Sequence, residues 1–206
     1  MEDKQVKNFI TILMVFFISI FIIPENYIRA NSGEVKIFSP QDAQMLGILM
    51  GMKKNETEKI LGEPLKKESQ YQEAFGLDVY TYFYEFGKIV LEPIGIGNYI
   101  VTSLYTDQPS CEGPRNIKVG DNINSVLEKF SYNKNNTIEK EGDTLIKYIY
   151  DVKLDNYSKH GEIFGLIEYD NNNKVSAVKY VHKSLVLYLK VKNDKISSIA
   201  LVFHAY

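Results

Sequence analysis

The sequence predicts an α+β fold of two tandem units, in which short helices pack on antiparallel sheet, preceded by an N-terminal apolar export or anchor helix. Two observations predict the tandem units. A helix-type stretch that starts at Gly51 has a partial echo 69 residues later, at Gly120, and segments rich in tyrosine and β-branched residues follow each copy. Helical periodicity followed by a series of strand-type segments is typical of α+β proteins.

A run of fifteen uncharged residues, Phe9–Ile23, predicts the N-terminal helix. At about 1.5 Å per residue it would cover roughly 22 Å, less than the ~30 Å hydrocarbon core of a bilayer. We interpret residues 1–30 as a signal peptide with cleavage after Ala30; an uncleaved membrane anchor that extends to Ile28, or a buried core helix, are the alternatives. The first two options place the rest of the chain outside the cytoplasm, because the lysines lie on the N-terminal side of the run.

The composition bounds the functions to consider. The chain has 206 residues, 45% of them hydrophobic, and a net charge of −2, so nothing indicates a general affinity for polyanions. Residues 31–113 carry 7 lysines and 12 acidic residues, whereas residues 114–206 carry 14 basic and 11 acidic residues. The resulting net charges of −5 and +3 could hold the two halves together or orient a partner; ordinary solvated faces are the alternative. Lysine outnumbers arginine 22 to 2, a bias typical of low-GC Gram-positive bacteria.

Two linkers divide the rest of the chain. The first covers residues 31–38, and the second covers residues 108–114, where proline and glycine cluster. The predicted units are therefore a first helix-plus-sheet repeat at 39–107 and a second at 115–206. Alternation and β-branched content predict three strands in the first unit and five in the second: Asp78–Phe86, Lys88–Pro93 and Tyr99–Tyr105, then Thr144–Leu154, Glu162–Tyr169, Val175–His182, Leu185–Val191 and Ile196–Phe203.

The second copy of the helix is the better formed of the two. Asn122 is a suitable N-cap, whereas the first copy has Lys53 at this position, and a lysine side chain cannot cap. The apolar stripe of the second copy has the spacing i, i+3, i+4, i+7, at Ile123, Val126, Leu127 and Phe130.

The first copy carries a short motif of a glycine start and a helix that ends in Leu-Gly-x-Pro, and the second copy matches only the start of this motif, because Ser131-Tyr132 depart from its end. The residues that carry it are Gly51, Leu61, Gly62 and Pro64 in the first copy and Gly120, Asp121, Val126 and Phe130 in the second. With this motif the chain resembles the tandem repeat domains of the β-lactamase-inhibitor-protein-like and outer-membrane-assembly-lipoprotein-E-like families, over about residues 39–203. The resemblance implies an extracytoplasmic binding domain whose sheet face contacts another protein, and it carries no catalytic residues to transfer.

Few residues are candidates for catalysis or metal binding. Cys111 could act as a nucleophile with a histidine, but its place in a Pro/Gly-rich linker favours an ordinary surface thiol or intermolecular pairing. His182 ends a predicted strand and His204 directly follows another, but nothing near them has the residue spacing of a metal site. Glu85 and Glu92 could form a catalytic pair only if one of them were buried. We therefore predict no catalytic residue, no metal and no cofactor.

Tyrosines are the residues most open to a functional interpretation. Tyrosine combines a large apolar area with a polar tip, which suits interfaces; plain packing of the sheet under the helices is the alternative. We predict an extracytoplasmic, non-catalytic module that binds a protein partner at the cell envelope, with membrane contact through Phe9–Ile23 if that segment stays attached, and without a nucleic-acid partner. An envelope hydrolase with carboxylates in a cleft between the repeats is the alternative function. The predicted binding residues are Tyr80, Tyr82, Tyr84, Tyr148 and Tyr150.

Overall fold

Strands dominate the computed structural model, which describes residues 37–73, 76–130, 138–141, 144–150 and 163–204. All of these residues belong to one compact unit, Lys36–Tyr206. The helices are α1 (Lys54–Leu61) and α2 (Ile123–Leu127). The strands are β1 (Gln44–Met45), β2 (Ile48–Leu49), β3 (Lys66–Gln72), β4 (Leu77–Tyr84), β5 (Gly87–Gly95), β6 (Asn98–Thr106), β7 (Ile138–Glu141), β8 (Thr144–Tyr150), β9 (Ile163–Tyr169), β10 (Val175–His182), β11 (Leu185–Lys192) and β12 (Lys195–Phe203).

Ten of these strands form one antiparallel sheet with the order β3-β4-β5-β6-β12-β11-β10-β9-β8-β7. Strands β3 to β6 follow one another as a meander, and so do β7 to β12. The last strand of each meander lies at the centre of the sheet, where β6 pairs with β12 through Leu104 opposite Leu201 and Tyr105 opposite Ala200. A single sheet therefore runs through both predicted repeats, and the predicted boundary at 108–114 stays a prediction.

The predicted α+β class of two helix-plus-sheet units is wrong: the described chain is mostly β, with two short helices against one large sheet. Helix α1 buries only Thr57, so it adds little to a helical layer. Helix α2 ends at Leu127, and the last residue of its predicted stripe, Phe130, is 3% exposed beyond the helix end. The four residues of the predicted stripe are all buried, but turns and loops, rather than helices, form most of the layer that covers the sheet.

One face of the sheet, called here the covered face, carries the core. A row of directly paired residues crosses eight strands on this face and is buried throughout. The β1–β2 hairpin and α2 pack against it with buried side chains of the same hydrophobic cluster, and α1 adds the partly buried Leu61. The row consists of Tyr82, Ile89, Leu104, Leu201, Leu187, Tyr180, Gly165 and Ile149.

The opposite face, called here the open face, carries the alternate residues of the same strands. None of the residues in its two rows belongs to the hydrophobic cluster. All of them are half-buried except Lys88, which is exposed. The first row is Thr81, Val90, Ser103, Val202, Val186 and Val181. The second row is Phe83, Lys88, Tyr105, Ala200, Tyr188, Lys179, Leu166 and Tyr148.

The segment before each helix is docked on the last strand of its meander in the same way. Before α1, the Gly51 N–H donates to the Val101 carbonyl at 2.8 Å, and the Val101 N–H donates to the Met52 carbonyl at 2.9 Å. Before α2, Gly120 and Ile196 make the equivalent bond at 2.8 Å. Both glycines have positive φ, +84° and +99°, a conformation that a side chain would strain. The echo in the sequence thus marks a shared way of attaching a helix to a strand.

All five strands predicted at Asp78–Phe86, Lys88–Pro93, Tyr99–Tyr105, Val175–His182 and Leu185–Val191 are confirmed within two residues. The predictions at 162–169 and 196–203 are also confirmed over the described residues, as is the one at 144–154 up to Tyr150. The predicted N-terminal helix, Phe9–Ile23, lies outside the described residues. Within the ranges that the structure describes, neither helix has the length and apolarity needed to cross a bilayer.

Candidate binding surface

The predicted tyrosines of β4 all lie on the covered face, beside α1. Tyr82 is 2% exposed and belongs to the core. Tyr80 and Tyr84 are half-buried and pack against the same cluster. Their rings therefore contribute to packing under α1, and only the outer parts of Tyr80 and Tyr84 are open to a partner.

Tyr80 is part of a cluster of aromatic rings around a lysine. Its ring meets that of Tyr99 edge to face, with centroids 4.9 Å apart. The Lys54 ammonium lies 5.3 Å from the Tyr80 centroid and 5.8 Å from that of Tyr82, within the range of a cation–π interaction. A hydrogen bond to Tyr82 raises the pKa of Lys54, and burial opposes that rise. The cluster is a compact group in which one cation is held by rings from β4 and β6.

Tyr84 joins the sheet to the end of α1. Its ring stacks on Phe86 with centroids 5.0 Å apart, and its hydroxyl donates to the Gly62 carbonyl at 3.5 Å. Burial raises the pKa of Tyr84 to about 12, and the nearby carboxylate of Glu58 adds to the effect. Because its hydroxyl is neutral at physiological pH, Tyr84 contributes an apolar ring that packs on Phe86 and one hydrogen bond to Gly62.

The predicted tyrosines of β8 lie elsewhere. Tyr148 is opposite Leu166 on the open face, near the other end of the sheet from β4, and its hydroxyl donates to Glu141. The side chain of Tyr150 lies outside the described residues. The five tyrosines therefore do not form one surface.

The sequence predictions missed the open face. Its first row contains four valines at half-buried positions: Val202, Val186 and Val181 lie on the adjacent strands β12, β11 and β10, and Val90 lies beyond Ser103 on β5. In the second row, Lys179 forms an ion pair with Glu168 at 2.6 Å and lies 5.3 Å from the ring centroid of Tyr188. Burial and, to a lesser degree, Glu168 raise the pKa of Tyr188. The sequence does carry one sign of this face: large side chains occupy both the odd and the even positions of the strands, and these positions lie on opposite faces of the sheet.

The candidate catalytic residues lie apart. Cys111 is a free thiol, 3% exposed and so not at the surface. Glu85 is in the β4–β5 turn, whereas Glu92 lies opposite Ile100 far along β5, so the two do not face each other across the hairpin. His182 ends β10, and in the described part of the chain no three His, Cys, Asp or Glu residues are grouped as a metal site would require.

One cleft, of about 410 Å³, lies between the β1–β2 turn and the segment that links the meanders. Of its lining residues, only Glu112 carries a carboxylate, and this group is paired with Lys118 at 2.7 Å. Among the described lining residues there is therefore no second carboxylic acid that could act with Glu112 as a general acid–base pair.

A model of the CAP-associated N-terminal family matches residues 50–192. The match covers well over half of the chain and runs from before α1 to the end of β11. The chain belongs to the CAP-associated N-terminal family. No curated protein matches it. Among solved structures, the chain is similar to an extracellular protein containing a SCP domain from Bacillus anthracis str. Ames, with a TM-score of 0.44, 10% identity, and coverage of 84% of this chain and 49% of that one. The chain thus spans about half the length of that protein.

This family membership corrects the resemblance to the β-lactamase-inhibitor-protein-like and outer-membrane-assembly-lipoprotein-E-like repeats, which is wrong. The motif that suggested it has a local physical cause. Gly51 and Gly120 are needed where the chain turns from a strand pairing into a helix, and Gly62 has φ +73° where α1 ends. Any fold that docks a short helix on a strand in this manner would favour the same residues.

Proposed function

We propose that this CAP-associated N-terminal domain is an extracytoplasmic, non-catalytic binding module whose open face docks a protein partner at the cell envelope. The observation that carries the proposal is the first row of the open face, with valines at Val90, Val202, Val186 and Val181. An antiparallel sheet with one solvated face normally places polar residues there. Here Val202, Val186 and Val181 lie side by side, with Val90 beyond Ser103, and an apolar patch at the surface marks an interaction site.

The composition of the open face suits a protein interface. Tyr105 and Tyr188 stand beside the valines, opposite Ala200, and provide aromatic area with polar tips. The Lys179–Glu168 pair at one side supplies charged groups of the kind found at interface rims. A sheet face of this kind fits a second layer of protein at about the 10 Å spacing of packed sheets.

For the partner we propose a CAP domain, the domain after which the family is named. The two halves of the chain carry opposite net charge, −5 over residues 31–113 and +3 over residues 114–206. A partner with the complementary arrangement would be oriented on approach, and the rate of association would fall as salt is added.

The test is a binding measurement between the full chain and a purified CAP domain, by biolayer interferometry. The double variant Val186→Lys and Val202→Lys places two charges on the open face and should weaken binding by at least tenfold, because each ammonium would be desolvated in the interface. The control is Leu65→Lys, at a side chain that is 72% exposed away from this face. Absence of binding, or equal binding by the double variant and the control, would reject the proposal.

The extracytoplasmic location rests on Phe9–Ile23 and the lysines before it. We expect export in a bacterial host, followed by cleavage after Ala30. Mass spectrometry of the chain recovered outside the cytoplasm should then find a mature N-terminus at Asn31. A chain that stays in the cytoplasm with Met1 in place would contradict the location.

A further inference from the structure

The free end of the β3–β6 meander presents large apolar side chains to solvent. Ile96 is 90% exposed and Ile94 is 56% exposed, both at the β5–β6 turn, and Tyr71 is 62% exposed next to the β3–β4 turn. Because successive strands of a meander run in opposite directions, these two turns lie at the same end of the sheet. We call Tyr71, Ile94 and Ile96 the tip surface, and we propose that it inserts into the interface of a lipid bilayer.

The local backbone makes Ile96 protrude. It stands between Gly95 and Gly97, which have φ of +154° and +73° and no heavy atom within 4 Å of the position where a Cβ would lie. Turns in soluble proteins favour Gly, Asn, Asp, Ser and Pro. An isoleucine flanked by bare glycines is instead a projecting apolar group with nothing beside it to cover it.

Behind the tip surface, the residue types change in the order expected of a membrane interface. Tyr80 and Tyr99 form the ring pair with centroids 4.9 Å apart, and the Lys54 ammonium lies 5.3 Å from the Tyr80 ring. Tyrosine and lysine place an apolar body towards hydrocarbon and a polar tip towards water. From the β5–β6 turn inwards, the order is thus the aliphatic Ile94 and Ile96, then the rings of Tyr80 and Tyr99, then the cation of Lys54 on α1.

The shape and the chain length favour a lipid surface over a pocket on another protein. The apolar groups sit on two turns at one end of a sheet, where a flat and deformable partner can reach both without a matching cavity. The thirteen residues at 24–36 separate Phe9–Ile23 from the described domain, and an extended chain of that length reaches up to about 45 Å. If the apolar segment is retained as an anchor, it leaves the domain within reach of the same bilayer.

The charges around the tip surface specify the lipid. Three acidic residues lie near it: Glu73 in the β3–β4 turn, Asp78 opposite Tyr71, and Glu92 two residues before Ile94. Two cations lie nearby: Lys54 at the Tyr80 ring and Lys53 paired with Ile100. The balance is acidic, so anionic headgroups would repel this end of the sheet. We expect insertion to be deeper in phosphatidylcholine vesicles than in vesicles that contain phosphatidylglycerol.

A single tryptophan can report the insertion, because the chain contains no tryptophan of its own. The probe is Ile96→Trp in the full chain, and the control is Leu65→Trp, at an apolar side chain 72% exposed near the opposite end of the meander. With phosphatidylcholine vesicles, the Ile96→Trp emission should move to shorter wavelength and be quenched by brominated acyl chains. The Leu65→Trp emission should not change.

This design separates insertion of the tip surface from tethering by Phe9–Ile23, since tethering alone would leave both probes in water. It is also independent of the open face, so a failure here would leave the CAP-domain proposal standing. Emission from Ile96→Trp that stays at the wavelength found in water while the protein is bound to vesicles would overturn the inference. So would equal quenching at Ile96→Trp and Leu65→Trp, or stronger quenching with phosphatidylglycerol present.

Discussion

Arg115 is the residue on which three separate parts of the chain converge. Its guanidinium binds the Asp42 carboxylate through two bonds of 2.8 Å and donates to the Ile37 carbonyl at 2.7 Å. It also lies 4.2 Å from the ring centroid of Phe130, just beyond α2. The planar, forked guanidinium suits this combination of two-bond pairing and stacking, which a lysine cannot reproduce. Arg115 thus fixes the start of the described chain to the end of α2.

We expect Arg115→Ala to lower the free energy of unfolding by about 3–5 kcal/mol, because it would leave a largely buried carboxylate without its partner. The Asp42 side chain is only 11% exposed. Chemical denaturation would measure the loss.

The control for this substitution is Lys118→Ala. The Lys118–Glu112 pair has side-chain exposures of 46% and 52%, and a solvated pair contributes about 1 kcal/mol or less. Similar losses for both variants would show that Arg115 is no more than a surface charge.

At the scale of the elements, the two helices differ in how they begin. The Asn122 side chain accepts a hydrogen bond from the Asn124 N–H at 2.9 Å, as predicted for an N-cap. Lys53 occupies the same position before α1 and makes no side-chain capping bond, again as predicted. Helix α2 therefore has a side-chain cap at its start, and α1 has none.

This difference predicts opposite effects of substitution. Asn122→Ala should lower the free energy of unfolding by about 1 kcal/mol, whereas Lys53→Asn should raise it by a similar amount, about 0.5–1 kcal/mol. Thermal and urea denaturation of the two variants and the parent would test both signs. Stabilisation by Asn122→Ala, or a loss with Lys53→Asn, would contradict the capping interpretation.

The sequence identified most strands because burial on one face leaves a period-two pattern. Strand β10 was predicted with its observed bounds, Val175–His182. Strand β3 (Lys66–Gln72) was missed because it lies at the sheet edge, where all but its last residue are exposed and charged or polar residues dominate. An edge strand with neither face buried has no periodic signal to detect.

The candidate surfaces were harder to predict than the strands. The sequence shows that β4 is rich in tyrosine, but it does not show which face of the sheet these tyrosines occupy. Tyr82, for example, lies in the core. The open face depends on the register of several strand pairs at once. Val90 and Val186, for example, share a row only because β6 and β12 pair between them. No local pattern encodes a pairing between residues so far apart in the chain.

At the scale of the whole molecule, the β6–β12 pair makes two meanders into one sheet. The buried row crosses this junction through Leu104 and Leu201. Because the two meanders share a continuous core, we expect them to unfold together in one transition. The fold class was predicted wrongly because local sequence patterns indicate the helices but not the pairing of β6 with β12.

Leu201→Ala tests the junction. Loss of a fully buried leucine should cost about 2–5 kcal/mol and should lower hydrogen-exchange protection in β4–β5 and in β9–β10 alike. Its neighbour Val202 points to the open face and is half-buried, so Val202→Ala should cost only about 1 kcal/mol. Two separate calorimetric transitions, or loss of protection confined to one meander, would contradict a single cooperative sheet.

The position of β12 has a consequence for how the protein is made. Strand β6 is complete at Thr106, but the strand that covers its outer edge begins only at Lys195. Translation at roughly 5–20 residues per second leaves that edge bare for several seconds. A nascent or prematurely terminated chain would carry a naked, valine- and leucine-bearing strand able to template aggregation. The edge of β6 is therefore protected from pairing with other chains only after β12 has been synthesised and has paired with it.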